Sequence, residues 1–315
     1  MSTLPTNDPR CVASPTASID LVIEARPRDL GGFTVGRVLP SPRRRYVGPF
    51  VFLDHMGPHD IDPEHGMDVR PHPHIGLSTV TYLYSGENVH RDSMGNVQIV
   101  KAGDLNIMTA GKGVVHSERI DAAQKKRGGV FHGLQIWLGL PEANETDEPS
   151  FQHHDEGALP AVAPAPGVTG RVLIGTAFGA TSPAVHPSKP LLVALELDEG
   201  AQLDVPAAED VGLYVVEGSV SIGETVLAKD HLAVVAGKAC AVARERSRVM
   251  ILGGPPLGQR FIDWNFVSSK QASIDVARAG WKAQTFPKIP GDDQEFTPLP
   301  EWPVRPSDSP NGGST

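Results

Sequence analysis

Two short stretches of the chain carry residue types that bind metals. In RPHPHIG, His72 and His74 stand one residue apart, and in GKGVVHSERI, His116 and Glu118 repeat that spacing. Successive side chains of a strand point to opposite faces, so residues i and i+2 share one. If both stretches are strands, each pair projects together. Two such pairs on neighbouring antiparallel strands would converge three imidazoles and one carboxylate. That set suits a borderline divalent ion such as Fe, Ni, Mn, Co or Zn. An octahedral ion held by four protein ligands keeps two positions open, for a substrate oxygen and dioxygen. A lone His-x-His on a strand is more often two polar surface residues, so the assignment depends on the elements around it.

Those elements read as short strands. The 315 residues include 33 Gly and 29 Pro, which favours many short elements joined by turns over long helices. Period-2 and short apolar runs occur in YVGPFVFLDHM, LSTVTYLYSG, NVQIVKAGDLNIMTAG and FHGLQIWLGLP, and resume in RVLIGTAFG, LLVALELDEG, GLYVVEGSVSIG and DHLAVVAG. One helix is expected near the end, in SIDVARAGWKA, with Ser273 as cap and Ile274, Ala277 and Trp281 on one face. The two halves echo each other. Tyr82 and Gly86 match Tyr214 and Gly218 in spacing, and Asp104 to Gly111 matches Asp230 to Gly237. A duplicated β domain follows, and an all-β repeat favours two small barrels over one sandwich. The expected organisation is a loose leader, a first domain over 18–150, a linker over 151–170, a second domain with its terminal helix over 171–286, and a Pro-rich tail over 287–315. Carrying the echoes over, His72 and His74 fall on Asp204 and Pro206, and His116 and Glu118 on Val242 and Arg244. None of these makes a ligand set, so the second barrel is expected to be metal-free.

The glycines that frame the histidines sharpen the reading. Gly66 precedes His-x-His by five residues, and Gly103 opens a glycine-rich turn ahead of His116. This resembles the two-motif signature of the cupin superfamily, small β-barrels that hold a metal inside. The usual cupin carboxylate, three or four residues after the second histidine, is absent, since Ser78 and Thr79 stand there. Glu118 restores it two residues beyond His116. With that displacement the chain resembles the pirin family, which carries HPH with a following Gly, a TYL strand, an HRDSMGN-like turn, GDLNIMTAGKGVVHSE and HGLQIWLGLP. The likeness runs from about Asp20 to Phe286. FQHH at 151–154 and WNFVSS at 264–269 resemble a bacterial branch, and the mammalian-type ending GPFVMN is absent.

The resemblance implies an all-β fold of two tandem cupin (double-stranded β-helix, jelly-roll) barrels with a short C-terminal helix. It also implies Fe(II) in the first barrel, held by His72, His74, His116 and Glu118, with Ni, Mn, Co or Zn as alternatives. The activity implied is that of a quercetin 2,3-dioxygenase: ring opening of a flavonol, or another enolisable aromatic, by O2, with Glu118 both ligand and base. The alternative is a non-enzymatic iron-binding redox sensor that binds a protein partner. A metal-free isomerase or epimerase is a weaker third reading.

Charge and composition set the remaining expectations. A formal charge of −9 and a pI near 5.7 disfavour direct nucleic-acid binding, and Arg43–Arg45 read as a solvated loop. No apolar run reaches membrane-spanning length. Cys11 and Cys240 alone make no disulfide framework, which suits the cytoplasm. A monomer is expected, because one bicupin chain covers what single cupins bury by dimerising. His55, His59 and His65 read as loop or supporting residues, His90 as a hairpin residue, His132 as a strand residue orienting a ligand, and His153 and His154 as linker. Asp54 and Arg91 are rim candidates. Val80, Leu105, Ile107 and Met108 are expected in the core.

Overall fold

The structure, a computed structural model, describes residues 12–13, 18–30, 32–62 and 66–300. It forms two jelly-roll barrels, each made of one large and one small antiparallel sheet. In the first barrel a seven-stranded sheet runs in the order Ser150–His154, Leu105–Thr109, Leu77–Ser85, Val130–Gly139, Phe50–Asp60, Thr34–Leu39, Arg26–Asp29. It faces a four-stranded sheet of Val69–His74, Val114–Arg119, Glu87–Asp92 and Val97–Lys101. The second barrel repeats the plan. Its large sheet is built on His231–Val235, Asp210–Glu217, Ser247–Gly254 and Leu191–Leu197, opposite a small sheet centred on Cys240–Ala243 and Ser219–Ile222.

The two large sheets pack face to face, so their strands are buried on both sides. Along Leu77–Ser85, Val80 and Tyr82 enter the core between the barrels, and Thr79 and Thr81 turn into the first barrel. Along Val130–Gly139, Leu134, Ile136 and Leu138 take the core side, and Gln135 and Trp137 face inward. The partner sheet answers with Tyr214, Val216, Met250 and Leu252. Strands buried on both faces read as continuous hydrophobic runs. Each fully buried aliphatic side chain contributes about 1.5–3 kcal/mol, so this shared core fixes how the barrels sit.

The interiors of the two barrels differ. The second is filled by aliphatic side chains, including Val193, Leu195, Leu213, Val215, Val249 and Ile251. The first encloses a cavity of about 220 Å³. Pairing also corrects the repeat alignment. Ala241 lies opposite Leu203 and both face inward, as His116 and His72 do, so the echo places each of these strands one residue too late. The inward residues there are Leu203, Ala241 and Ala243, all buried and none able to bind a metal.

Several local expectations change. The stretch 151–170 is not a bare linker: Ser150–His154 pairs with Leu105–Thr109, and Ala161–Ala165 with Val168–Ile174. Ile19–Glu24 pairs with His231–Val235, so the start of the first domain is built into the sheet of the second. The C-terminal helix spans Gln271–Lys282 and buries Ile274, Ala277 and Trp281 as the spacing requires. Its N-cap is Lys270 with no side-chain cap bond, and Ser273 lies within the first turn. A second short helix, Ala122–Arg127, is capped by Asp121, whose carboxylate accepts from the amides of Ala123 and Gln124. Cys11 and His65 lie outside the described residues, and no described helix is long and apolar enough to cross a membrane.

His55 is not a loop residue. It lies on Phe50–Asp60, 2% exposed, and bridges the barrels. Its Nδ1 is 2.8 Å from Tyr214 Oη and 2.7 Å from Asp230 Oδ1, and its Nε2 is 2.8 Å from His132 Nε2. Burial and the neighbouring His55 push His132 down to about 3. His132 thus serves the contact between barrels, and no bond from it to the histidine cluster is present.

Candidate functional site

The site begins with one strand pair. Val69–His74 carries His72 and His74, and Val114–Arg119 carries His116 and Glu118, with His116 directly opposite His72. Between His116 and Glu118 the register slips by one residue, leaving Glu118 opposite Val69. Such a bulge re-aims a side chain without breaking the sheet. The three imidazoles converge: ring centroids are 5.0 Å apart for His72 and His74, 4.3 Å for His72 and His116, and 5.0 Å for His74 and His116. One ligand nitrogen from each lies within 4.8 Å of the others. Glu118 stands outside that tight group. Its carboxylate faces the same cavity and accepts from Thr81 Oγ1 at 3.2 Å.

The outer nitrogens are already engaged. His72 Nδ1 donates to the Arg70 carbonyl at 2.8 Å, and His74 Nδ1 to the Asn265 carbonyl at 3.0 Å. A carbonyl only accepts, so both rings carry their proton on Nδ1 and turn an Nε2 lone pair inward. His74 Nε2 and His116 Nε2 are 3.1 Å apart. Burial pushes His72 down to about 4, partly offset by its bond to Arg70. Burial and the neighbouring imidazoles hold His74 and His116 well below the usual histidine range. Burial raises Glu118, opposed by His90 and Thr81. Neutral, inward-facing imidazoles beside a carboxyl are what a divalent cation requires of its ligands, so the residues fit such an ion.

Behind this set lies a residue that strand spacing alone did not single out. His90 is 2% exposed on Glu87–Asp92, beside the ligand strand, and its Nδ1 is 3.5 Å from His116 Nδ1. Its Nε2 is 3.1 Å from Asp92 Oδ2. Asp92 is fully buried; burial alone would raise it, but bonds from His90 and Asn96 outweigh that and hold it low. Carboxylate–histidine chains of this kind orient metal-binding imidazoles. The signal available in the sequence was another i, i+2 pair, His90 and Asp92, on an adjacent strand.

The cavity wall is aromatic with one polar rung. Phe52 and Trp137 stack at 3.9 Å and 12°, and Trp137 meets His74 edge-on at 5.1 Å. Asp54, a rim candidate by sequence, is 3% exposed and bidentate with Arg37, at 2.7 and 2.6 Å. Arg37 also lies 4.5 Å over the Phe52 ring. Arg91 does not line the cavity. Strand register places Arg37, Asp54, Gln135, Thr81, Asn106 and His153 in one row across six strands. Thr81 touches both Gln135 and Glu118 along that row, at 3.1 and 3.2 Å. The second half of the chain closes the cavity with Trp264 and Asn265, on the hairpin of Phe261–Asp263 and Phe266–Ser268. Glu145 anchors this hairpin by accepting from Ser268 Oγ and the Ser269 amide, each at 2.7 Å.

Comparison with known proteins agrees with this architecture. The Pirin family profile matches residues 32–138, and the profile for the Pirin C-terminal cupin domain matches residues 192–287. A pirin-like protein of Caulobacter vibrioides is 46% identical over 289 residues, covering 90% of this chain and 100% of its own. A Pseudomonas aeruginosa protein whose name proposes quercetin 2,3-dioxygenase activity is 36% identical over 267 residues, covering 82% of each chain. Among solved structures, a quercetin 2,3-dioxygenase from Acinetobacter baumannii superposes with a TM-score of 0.81 at 29% identity, over 91% of this chain and 96% of that one. A bacterial pirin from Escherichia coli, solved with nickel(II), shares the fold with a TM-score of 0.60 at 23% identity, over 75% of this chain and 98% of its own. With two barrels in tandem, a histidine triad in the first and an aliphatic interior in the second, the chain belongs to the pirin family of bicupins.

Proposed function

We propose that this protein is a metal-dependent dioxygenase that opens the ring of a flavonol such as quercetin, or of another enolisable aromatic, with O2. The observation that carries the reading is the convergence of three neutral imidazoles on a cavity walled by stacked aromatic rings. His72, His74 and His116 would hold the ion, with Glu118 as fourth ligand, and Fe(II) is the ion proposed. When bound, the ion supplies Lewis acidity toward a substrate oxygen and redox access to dioxygen. Trp137, backed by Phe52, would form an apolar wall beside a planar ring and keep water from it. Glu118 takes the substrate hydroxyl proton, loosening its hold on the ion to do so, because a bound cation otherwise weakens it as a base. Thr81 keeps one carboxylate oxygen in place while the other meets the substrate.

Oxygen uptake by metal-loaded protein over a panel of flavonols tests the reading. Turnover is expected in the wild type, and its loss in His116→Ala and Glu118→Ala. Full turnover in metal-loaded Glu118→Ala would remove Glu118 as the base. No uptake with any flavonol by the wild type would turn the assignment toward a metal-dependent regulatory protein.

A further inference from the structure

Asn265 combines features that the metal site alone does not require. Its main-chain carbonyl accepts from His74 Nδ1, so the residue sits directly against a proposed ligand. The residue lines the cavity and is only 7% exposed, and among the described residues its carboxamide makes no hydrogen bond. An amide without a protein partner beside a cavity is free to hydrogen-bond a molecule bound there. The backbone around it is also constrained. Trp264 and Asn265 form the two-residue turn between paired Asp263 and Phe266, and Trp264 has φ of +53°. Glycine is the relaxed residue for a positive φ at the first position of such a turn, and a tryptophan held there costs about 1–3 kcal/mol. The chain therefore keeps a strained tryptophan and an amide open to a bound molecule where the second half of the molecule meets the cavity.

We propose that Asn265 is a specificity-determining residue of this cavity. Its carboxamide hydrogen-bonds the second oxygen of a planar aromatic carrying two vicinal oxygens, while the first oxygen meets the metal. The proposal rests on the dioxygenase reading for the presence of such a substrate. The amide hangs one short side chain from the carbonyl that holds His74, so the oxygen assigned to it is the one vicinal to the metal-binding oxygen. The amide offers two donors and an acceptor, so it serves a ketone, a hydroxyl or an enolate oxygen equally. Trp264, 3% exposed, fixes the turn by packing edge-on to Phe266 at 5.5 Å, which leaves the amide little freedom to turn away.

The test is ligand binding without oxygen. Protein loaded with Co(II), whose visible spectrum reports ligand-field changes, is titrated anaerobically with 2,3-dihydroxynaphthalene and with 2-naphthol. These share one frame and differ by one vicinal oxygen. In Asn265→Leu, the preference for the dihydroxy compound is expected to shrink about tenfold relative to wild type, the worth of one such bond. Co(II) affinity is expected to stay within about twofold, because the His74 contact uses the main chain. Asn265→Ala serves if the leucine variant fails to fold. An unchanged preference in the variant would overturn the proposal while leaving the dioxygenase reading intact. A fall in Co(II) affinity together with ligand affinity would also overturn it, assigning Asn265 to support of His74. Failure of Co(II)-loaded wild type to bind either compound would overturn both readings.

Discussion

The Arg37–Asp54 pair allows a sharp calculation. Both residues are buried, at 1% and 3% exposure, and the guanidinium meets both carboxylate oxygens at 2.7 and 2.6 Å. Removing Arg37 leaves the buried Asp54 carboxylate without its guanidinium, and removing Asp54 takes from Arg37 its bidentate partner; such a break costs about 3–5 kcal/mol. Removing both replaces two desolvated charges by apolar side chains, a change that is often neutral or stabilising. Arg37→Met also loses the contact over Phe52, worth about 1 kcal/mol. Against a total stability of about 5–15 kcal/mol, each single substitution removes a large share. At about 2 °C per kcal/mol for a chain of this size, Arg37→Met or Asp54→Leu should lower the melting transition by about 6–10 °C. The double variant should melt within a few degrees of wild type. Calorimetry of metal-free wild type, both singles and the double closes the cycle. If the double loses the sum of the singles, the two groups do not act as a unit and the reasoning fails.

Two further outcomes follow from single residues. His186 is buried between Ser188 Oγ, 2.7 Å from Nδ1, and Ser78 Oγ, 2.9 Å from Nε2, and burial pushes it down to about 4 from 6.5. The unfolded chain then binds the proton first, so stability present above pH 6.5 is lost as pH falls toward 4, by at most about 3 kcal/mol. Denaturation midpoints of His186→Gln should fall less steeply over that range than those of wild type, and parallel curves would refute this. Gly76 has φ of +65° and a Cβ there would sit 1.9 Å from the Val267 carbonyl oxygen, whereas a Cβ at Gly95, φ +92°, meets nothing within 4 Å. Gly76→Ala should therefore displace the Phe266–Ser268 strand and weaken metal binding, while Gly95→Ala costs only the backbone strain of about 1 kcal/mol; equal effects in metal titration and calorimetry would contradict the clash.

The histidine triad was legible because period 2 is a local property: His72 and His74 must share a face wherever their strand lies. Glu118 was legible as a candidate by the same rule, but the bulge that aims it depends on pairing with Val69, which no spacing encodes. His55 was misplaced, and the position of His90 behind His116 went unseen, for a related reason. Each lies on a strand whose importance comes from its neighbours, His116 for one and Tyr214 for the other. The second barrel's lack of ligands was visible in its residue types, yet the echo set both of its strands one residue off. The repeat fixes spacing within each echo, not the length of the turn between echoes. Asn265 carried no signal at all, since an asparagine after a tryptophan acquires meaning only where the two halves meet.

Ile19–Glu24, stitched to His231–Val235, makes the molecule a closed circuit. Among the first described residues to leave the ribosome, it must wait for a strand more than two hundred positions later before its hydrogen bonds can form. Cutting the gene between the barrels would leave one fragment with an unpaired apolar strand and the other with a bare sheet edge, both prone to aggregate. A circular permutant opened between residues 154 and 161, with the native ends joined, would instead keep that strand beside its partner sheet in sequence. Inheritance, expression and engineering of this protein therefore treat the two barrels as one unit.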